Sequence, residues 1–172
     1  IFMILTVVAL FVGIAVLFKI PETLSKQNKQ SLRLGVVAQN YLSLFKNPTA
    51  MGLIFCGSFS FSGMFAFLTA GSFVYIDVYD VKPDHFGYFF GLNIVAMMVM
   101  TSLNGRLVKK MGSHFMLRLG LTIQLFAGVG LFVSLLMGPE FWQLVLFIAL
   151  YVSTLSTIGS NASGLLLSHY PN

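Results

Sequence analysis

The sequence predicts an all-α membrane protein with five spanning helices, and three observations carry that reading. Of the 172 residues, 57% are hydrophobic and only 9% are charged, whereas an ordinary soluble domain is about a quarter charged. Five apolar runs reach the roughly 20 residues that a helix needs to cross a hydrocarbon core about 30 Å thick. No alternating β pattern accompanies them, and in lipid only helices and closed barrels satisfy every backbone group.

The runs fall at about 1–18, 49–72, 86–104, 115–137 and 142–164. None contains Asp, Glu or Lys, and the one arginine, Arg118, stands near the start of the fourth. The first run opens on Ile1 without an initiator Met or a charged leader, so the chain reads as a piece of a longer one. In the long gap that follows, Leu34, Val37, Ala38, Tyr41 and Phe45 recur at helical spacing opposite Arg33, Asn40, Ser43 and Lys46. That pattern predicts an amphipathic helix along the membrane surface, ended by Asn47-Pro48. The gap reads equally as a joint between two bundles and as a simple tether.

Charge sorts the gaps into two faces. Lys19, Lys26, Lys29, Arg33, Lys46, Arg106, Lys109, Lys110 and Arg118 lie on one, with Glu22; Asp77, Asp80, Asp84 and Glu140 lie on the other, with Lys82. Nine of ten basic residues share a face, which the positive-inside rule makes cytoplasmic. The net charge of +5 therefore marks orientation and not a nucleic-acid surface. Tyr75, Tyr79, Phe86, Tyr88, Phe141 and Trp142 cluster near the opposite interface, where amphipathic rings act as anchors.

Function must rest on neutral polar groups. In the second span Ser58, Ser62, Phe65, Thr69 and Ser72 follow at steps of four, three, four and three, so they line one face. Such a stripe serves a cavity or, with the small residues of GSFSFSG at 57–63, helix packing. The fifth span carries Tyr151, Ser153, Thr154, Ser156, Thr157, Ser160 and Asn161 over an arc too wide for one packing seam, which points to a pathway lining. Asn93 and Asn104 share a face of the third span; Asn93 is placed at the cavity and Asn104 at the helix end. Gln124 offers a bridge to another helix, with packing as the favoured role. His85, His114 and His169 lie apart without metal spacing, and Cys56 reads as a buried thiol. No nucleophile motif or phosphate loop occurs, so neither enzyme nor cofactor is expected.

The stretch GRLVKKMGSH, 105–114, resembles the cytoplasmic loop motif of the major facilitator superfamily. Gly105, Lys110 and Gly112 match its glycines and base, Arg106 lies within it, Lys109 stands where the motif has an acid, and His114 where it has a base. IPETL at 20–24 resembles the segment after helix six in the drug:proton antiporter branch. SFSGMFAFLTAGSFVYI, FGYFFGLNIVAMMVMTSLNGRLV, RLGLTIQ and SNASGLLLSHYP resemble helices seven to ten of the Bcr/CflA, or bicyclomycin resistance, family. The resemblance implies a partial superfamily bundle: 1–18 as the last helix of the N-terminal half, 19–47 as the cytoplasmic linker, and 48–172 as four of the six C-terminal helices. Helices one to five and eleven to twelve would lie in the missing remainder of the chain.

It further implies a multi-pass exporter of drugs or small amphipathic compounds in a bacterial inner membrane, with protons as coupling ion and alternating access about a midplane site. Ser58, Ser62, Phe65, Thr69, Asn93, Tyr151, Thr154 and Asn161 are the expected substrate contacts. Hydroxyl and aromatic groups suit a polyspecific pocket. Coupling needs a titratable group at membrane depth, and none is present here, so the resemblance puts it elsewhere in the protein. A nutrient or metabolite carrier of the superfamily would share these features; a membrane-embedded enzyme or a structural subunit is the reading from another class.

Overall fold

The computed structural model describes residues 2–19, 34–138 and 140–169. Lys26, Lys29, Arg33, Glu22, the 20–24 pentapeptide and residues 170–172 lie outside the described residues. The helices are α1 (Phe2–Lys19), α2 (Leu34–Lys46), α3 (Pro48–Phe73), α4 (Pro83–Met111), α5 (Ser113–Met137), α6 (Phe141–Ser153) and α7 (Leu155–His169). Five stretches are long and apolar enough to cross a membrane: α1, α3 with its extension to Val78, α4, α5, and α6 with α7.

The described residues divide between two compact units, one ending at Asn40 and the other beginning at Tyr41. In the first, α1 is apolar until Lys19 in its last turn, where a cation complements the helix dipole. Its one hydroxyl, Thr6, donates back to the Phe2 carbonyl (3.0 Å). The predicted helix in the long gap is present as α2, which straddles the division: Leu34 in the first unit and Tyr41 and Phe45 in the second are exposed.

In the second unit, helix ends follow local chemistry. Asn47 caps α3 by accepting from Thr49 and Ala50 N–H (3.0 and 3.2 Å), with Pro48 in the first turn where its missing N–H costs nothing. The helix then runs past its predicted end into a π-helical turn, Val74–Val78, closed by Tyr79 N–H on Val74 O (3.2 Å). Asp80 takes a positive φ of 53° in the tight return to α4. Between α4 and α5 only Gly112 is non-helical, at φ +80°, a conformation that glycine adopts freely.

Two apolar clusters give the course of the helices. One joins Tyr75, Phe86, Leu131, Phe141 and Leu144: the end of α3, the start of α4, the end of α5 and the start of α6. The other joins Leu53, Leu117, Ile158, Ala162 and Leu165: the starts of α3 and α5 with the end of α7. Successive spans therefore alternate in direction. The first cluster sits beside Asp77, Asp84 and Glu140 and the second beside Lys46, Lys110 and Arg118, so the unit has an acidic end and a basic end. α6 packs on α4 and α5, whereas α7 packs on α3 and α5.

The aromatic residues differ from their expected anchoring role. Tyr75 is 1% exposed at the centre of the acidic-end cluster, with Phe89, Phe86 and Phe141 at 5.4, 5.7 and 5.8 Å between centroids. Tyr88 and Trp142 alone of the six stay largely exposed, at 75% and 69%. Ring faces that meet edge-on stabilise a helix junction beyond their buried area, which explains why these side chains turn inward.

Candidate functional site

Helix α3 has two polar faces that the sequence stripe did not separate. Ser58, Ser62, Phe65 and Thr69 lie together on the exposed face. There Ser62 donates to Ser58 O (2.9 Å) and Thr69 to Phe65 O (2.8 Å), so both hydroxyls fold back on their own helix. Ser60, two residues out of phase, is buried against α5. Its hydroxyl lies 2.8 Å from Oε1 and 2.6 Å from Nε2 of Gln124, itself buried. Gln124 is thus a hydrogen-bonded bridge between helices, the less favoured of the two roles its sequence position allows. Tyr151 adds a third helix by donating to Ser60 O (3.3 Å), its ring seated directly on Gly63, where a β-carbon has no room.

The fifth span is not one helix. Ser153 Oγ donates to Leu150 O (2.8 Å), and Thr154 donates to Tyr151 O through both Oγ1 (2.9 Å) and its N–H (3.4 Å). The ladder resumes with Ile158 N–H on Thr154 O (2.9 Å). Hydroxyls that occupy carbonyls three residues back displace the i to i−4 bonds and open a helix without proline. Thr154 is completely buried at this junction, and the buried Thr157 hydroxyl beyond it has no hydrogen-bond partner among the described residues. One turn further, Asn161 Nδ2 donates to Asn104 Oδ1 (2.8 Å) and Thr157 O (2.7 Å), while Asn104 Nδ2 reaches Ser160 Oγ (3.4 Å). Asn104 is therefore a buried tie between α4 and α7 instead of a helix-end group. A side chain 9% exposed needs a partner inside the bundle, and Asn161 supplies it.

Asn93 is buried in the middle of α4, and its Nδ2 has no partner among the described residues. The loop-motif residues Gly105, Arg106 and Lys110 are on the last turns of α4, with Gly112 as the sole break. Leu107 and Val108 keep the apolar face half-buried, which carries the helix past the predicted boundary at 104. Lys109 and Lys110 then stand in its last turn, favoured by the dipole. The structure thus gathers the α3 stripe on one exposed face and places Asn93, Thr154 and Asn161 inside the bundle, away from it.

Two cavities flank α3. One of about 440 Å³ is walled by Gly63, Phe67, Gly128, Leu131, Ile148 and Tyr151, between α3, α5 and α6. Another of about 410 Å³ lies between α3 and α7, among Gly57, Ser58, Phe61, Gly159, Ala162 and Ser163. No ionisable carboxylate, amine or guanidinium lines either, so the chemistry on offer is neutral hydrogen bonding in an apolar wall. Sequence reasoning missed Ser60 and Ser163. The available signals were that Ser60 is out of phase with the stripe and that Gly159 and Ser163 are small residues four apart.

Comparison with known proteins places this geometry. A family model described as the Major Facilitator Superfamily matches residues 1–172. A bicyclomycin resistance protein homolog of Haemophilus influenzae is 43% identical over 171 residues, 99% of this chain and 43% of that protein. An uncharacterized MFS-type transporter of Bacillus subtilis, YdgK, is 26% identical over 159 residues, 92% of this chain and 39% of that protein. The chain thus spans about two-fifths of the length of these curated relatives. No solved structure matches it significantly.

Proposed function

The chain belongs to the major facilitator superfamily, and from that premise we propose that it is part of a proton-coupled exporter of drugs or small amphipathic compounds in a bacterial inner membrane. It is an integral membrane protein with five helices able to span a bilayer. In this reading α1 ends the N-terminal half, residues 19–47 form the cytoplasmic linker, and α3 to α7 supply four of the six C-terminal helices. The observation that carries the proposal is the 43% identity to the bicyclomycin resistance protein homolog across 99% of this chain.

The geometry suits that role. Ser58, Ser62, Phe65 and Thr69 present hydroxyl and aromatic groups on an exposed face of a spanning helix, a surface able to hold varied amphipathic molecules without demanding one shape. Tyr151 lines the cavity between α3, α5 and α6, while Asn93, Thr154 and Asn161 are enclosed by the bundle and meet substrate in the states of the transport cycle that part its helices. Arg106 and Lys110 hold the cytoplasmic end of α4 at the lipid headgroups. The titratable group that couples protons to transport belongs to another part of the protein.

The test is drug accumulation in an efflux-deficient bacterium expressing the full-length gene. Bicyclomycin and a panel of amphipathic compounds should accumulate less than in the vector control, and a protonophore should abolish the difference. Unchanged accumulation across the panel would sink the proposal.

A further inference from the structure

We infer that Ser163, with Ser58, forms a neutral hydrogen-bonding subsite for the polar group of an otherwise apolar transported compound, in the cavity between α3 and α7. The inference rests on the exporter reading above and extends it to a residue and a ligand chemistry.

The two hydroxyls differ from most others in the spans. Ser62, Thr69, Thr101, Ser102, Thr122 and Ser160 each donate to the carbonyl four residues back, at 2.7 to 2.9 Å. Ser58 and Ser163 have no hydrogen-bond partner among the described residues, both are exposed, and both line the same cavity. A hydroxyl in hydrocarbon that leaves its own helix carbonyl free is available to a second partner.

The cavity has the size and chemistry of a ligand site. Its volume, about 410 Å³, lies in the range of roughly 300–1,000 Å³ for small-molecule pockets. A β-carbon built on Gly57 or Gly159 would meet nothing within 4 Å, so open space reaches the backbone of both helices beside the two serines. Phe61 offers a ring to stack on. Ala162, at the same wall, belongs to the tight basic-end cluster, which gives the site a firm floor.

No charged side chain lines the cavity. An ionised group bound there would lack a counter-charge at membrane depth, whereas a carbonyl, amide or hydroxyl is served by two O–H groups that each donate one bond and accept others. The subsite therefore selects neutral compounds, or the neutral end of amphipathic ones.

The experiment uses the full-length protein in inverted membrane vesicles. The probe is the neutral compound that the wild type exports best, bicyclomycin being tried first. Ser163→Ala should raise KM about 3- to 10-fold, the loss of one uncharged hydrogen bond, with Vmax unchanged. Ser163→Thr, which keeps the hydroxyl, should restore KM to within about twofold. Separately, Ser163→Cys in a cysteine-free background should react with N-ethylmaleimide, and the probe should slow that reaction. An unchanged KM in Ser163→Ala, an equal rise in Ser163→Thr, or labelling indifferent to the probe overturns the inference while wild-type export still upholds the exporter reading. Absence of export by the wild type overturns both.

Discussion

The acidic and basic ends of the four-span unit are held by different forces. At the acidic end Tyr75 is packed among Phe86, Phe89 and Phe141, its hydroxyl without a partner among the described residues. At the basic end the aliphatic cluster of Leu117, Ile158, Ala162 and Leu165 is joined by a polar tie, the Asn104–Asn161 bond. Lipid tails are as apolar as leucine, so helices in a membrane gain little from hiding apolar surface from one another. Shape must then do the work, as the aromatic box does, or directional hydrogen bonds must, as the amides do. The comparison teaches that one end is specified by volume and the other by polarity.

Substitutions can break that contrast, and the largest effect lies between the two ends. Gly63→Val drives a side chain into the Tyr151 ring and should prevent recovery of folded, monodisperse protein from detergent. Tyr75→Ala empties the aromatic box and should cost about 3–5 kcal/mol, read as a large drop in thermal midpoint. Asn161→Leu strands the Asn104 amide at the opposite end and should cost about 1–3 kcal/mol. The Asn104→Leu, Asn161→Leu double variant should lose less than the two single losses added together. Tyr75→Phe removes a hydroxyl that bonds nothing and should leave the midpoint unchanged or raise it, within about 0.5 kcal/mol; a loss as large as that of Asn161→Leu would erase the distinction. Smallest of all, Lys109→Gln should leave efflux at the wild-type level, because Lys109 only adds charge to the last turn of α4. Abolished efflux at normal expression would refute that.

The spans were legible because apolar length and proline chemistry act locally. Asn47-Pro48 caps α3 as its residues suggest, whereas Pro83 opens α4 three residues before the predicted start at 86. The π-helical turn was not legible, since aromatic packing around Tyr75 sustains it and composition does not. Nor was the division of α3 into a free and a paired face: Ser58 and Ser60 are alike in sequence, and only the position of Gln124, 64 residues on, separates them. The hydroxyls of the fifth span were visible as an anomaly and read as a pathway lining. That Ser153 and Thr154 also bond their own backbone was not foreseeable, because the competition depends on neighbours that tolerate a broken ladder.

The junction at Thr154 has a mechanical meaning. On one side of it α6 packs on α4 and α5; on the other α7 packs on α3 and α5 and is tied to α4 through Asn104. At the residue between them the i to i−4 ladder gives way to i to i−3 bonds, which lets the axis of the span bend there without proline. An unbroken helix would hold both halves to one axis; this one can aim α6 and α7 separately at the helices that receive them.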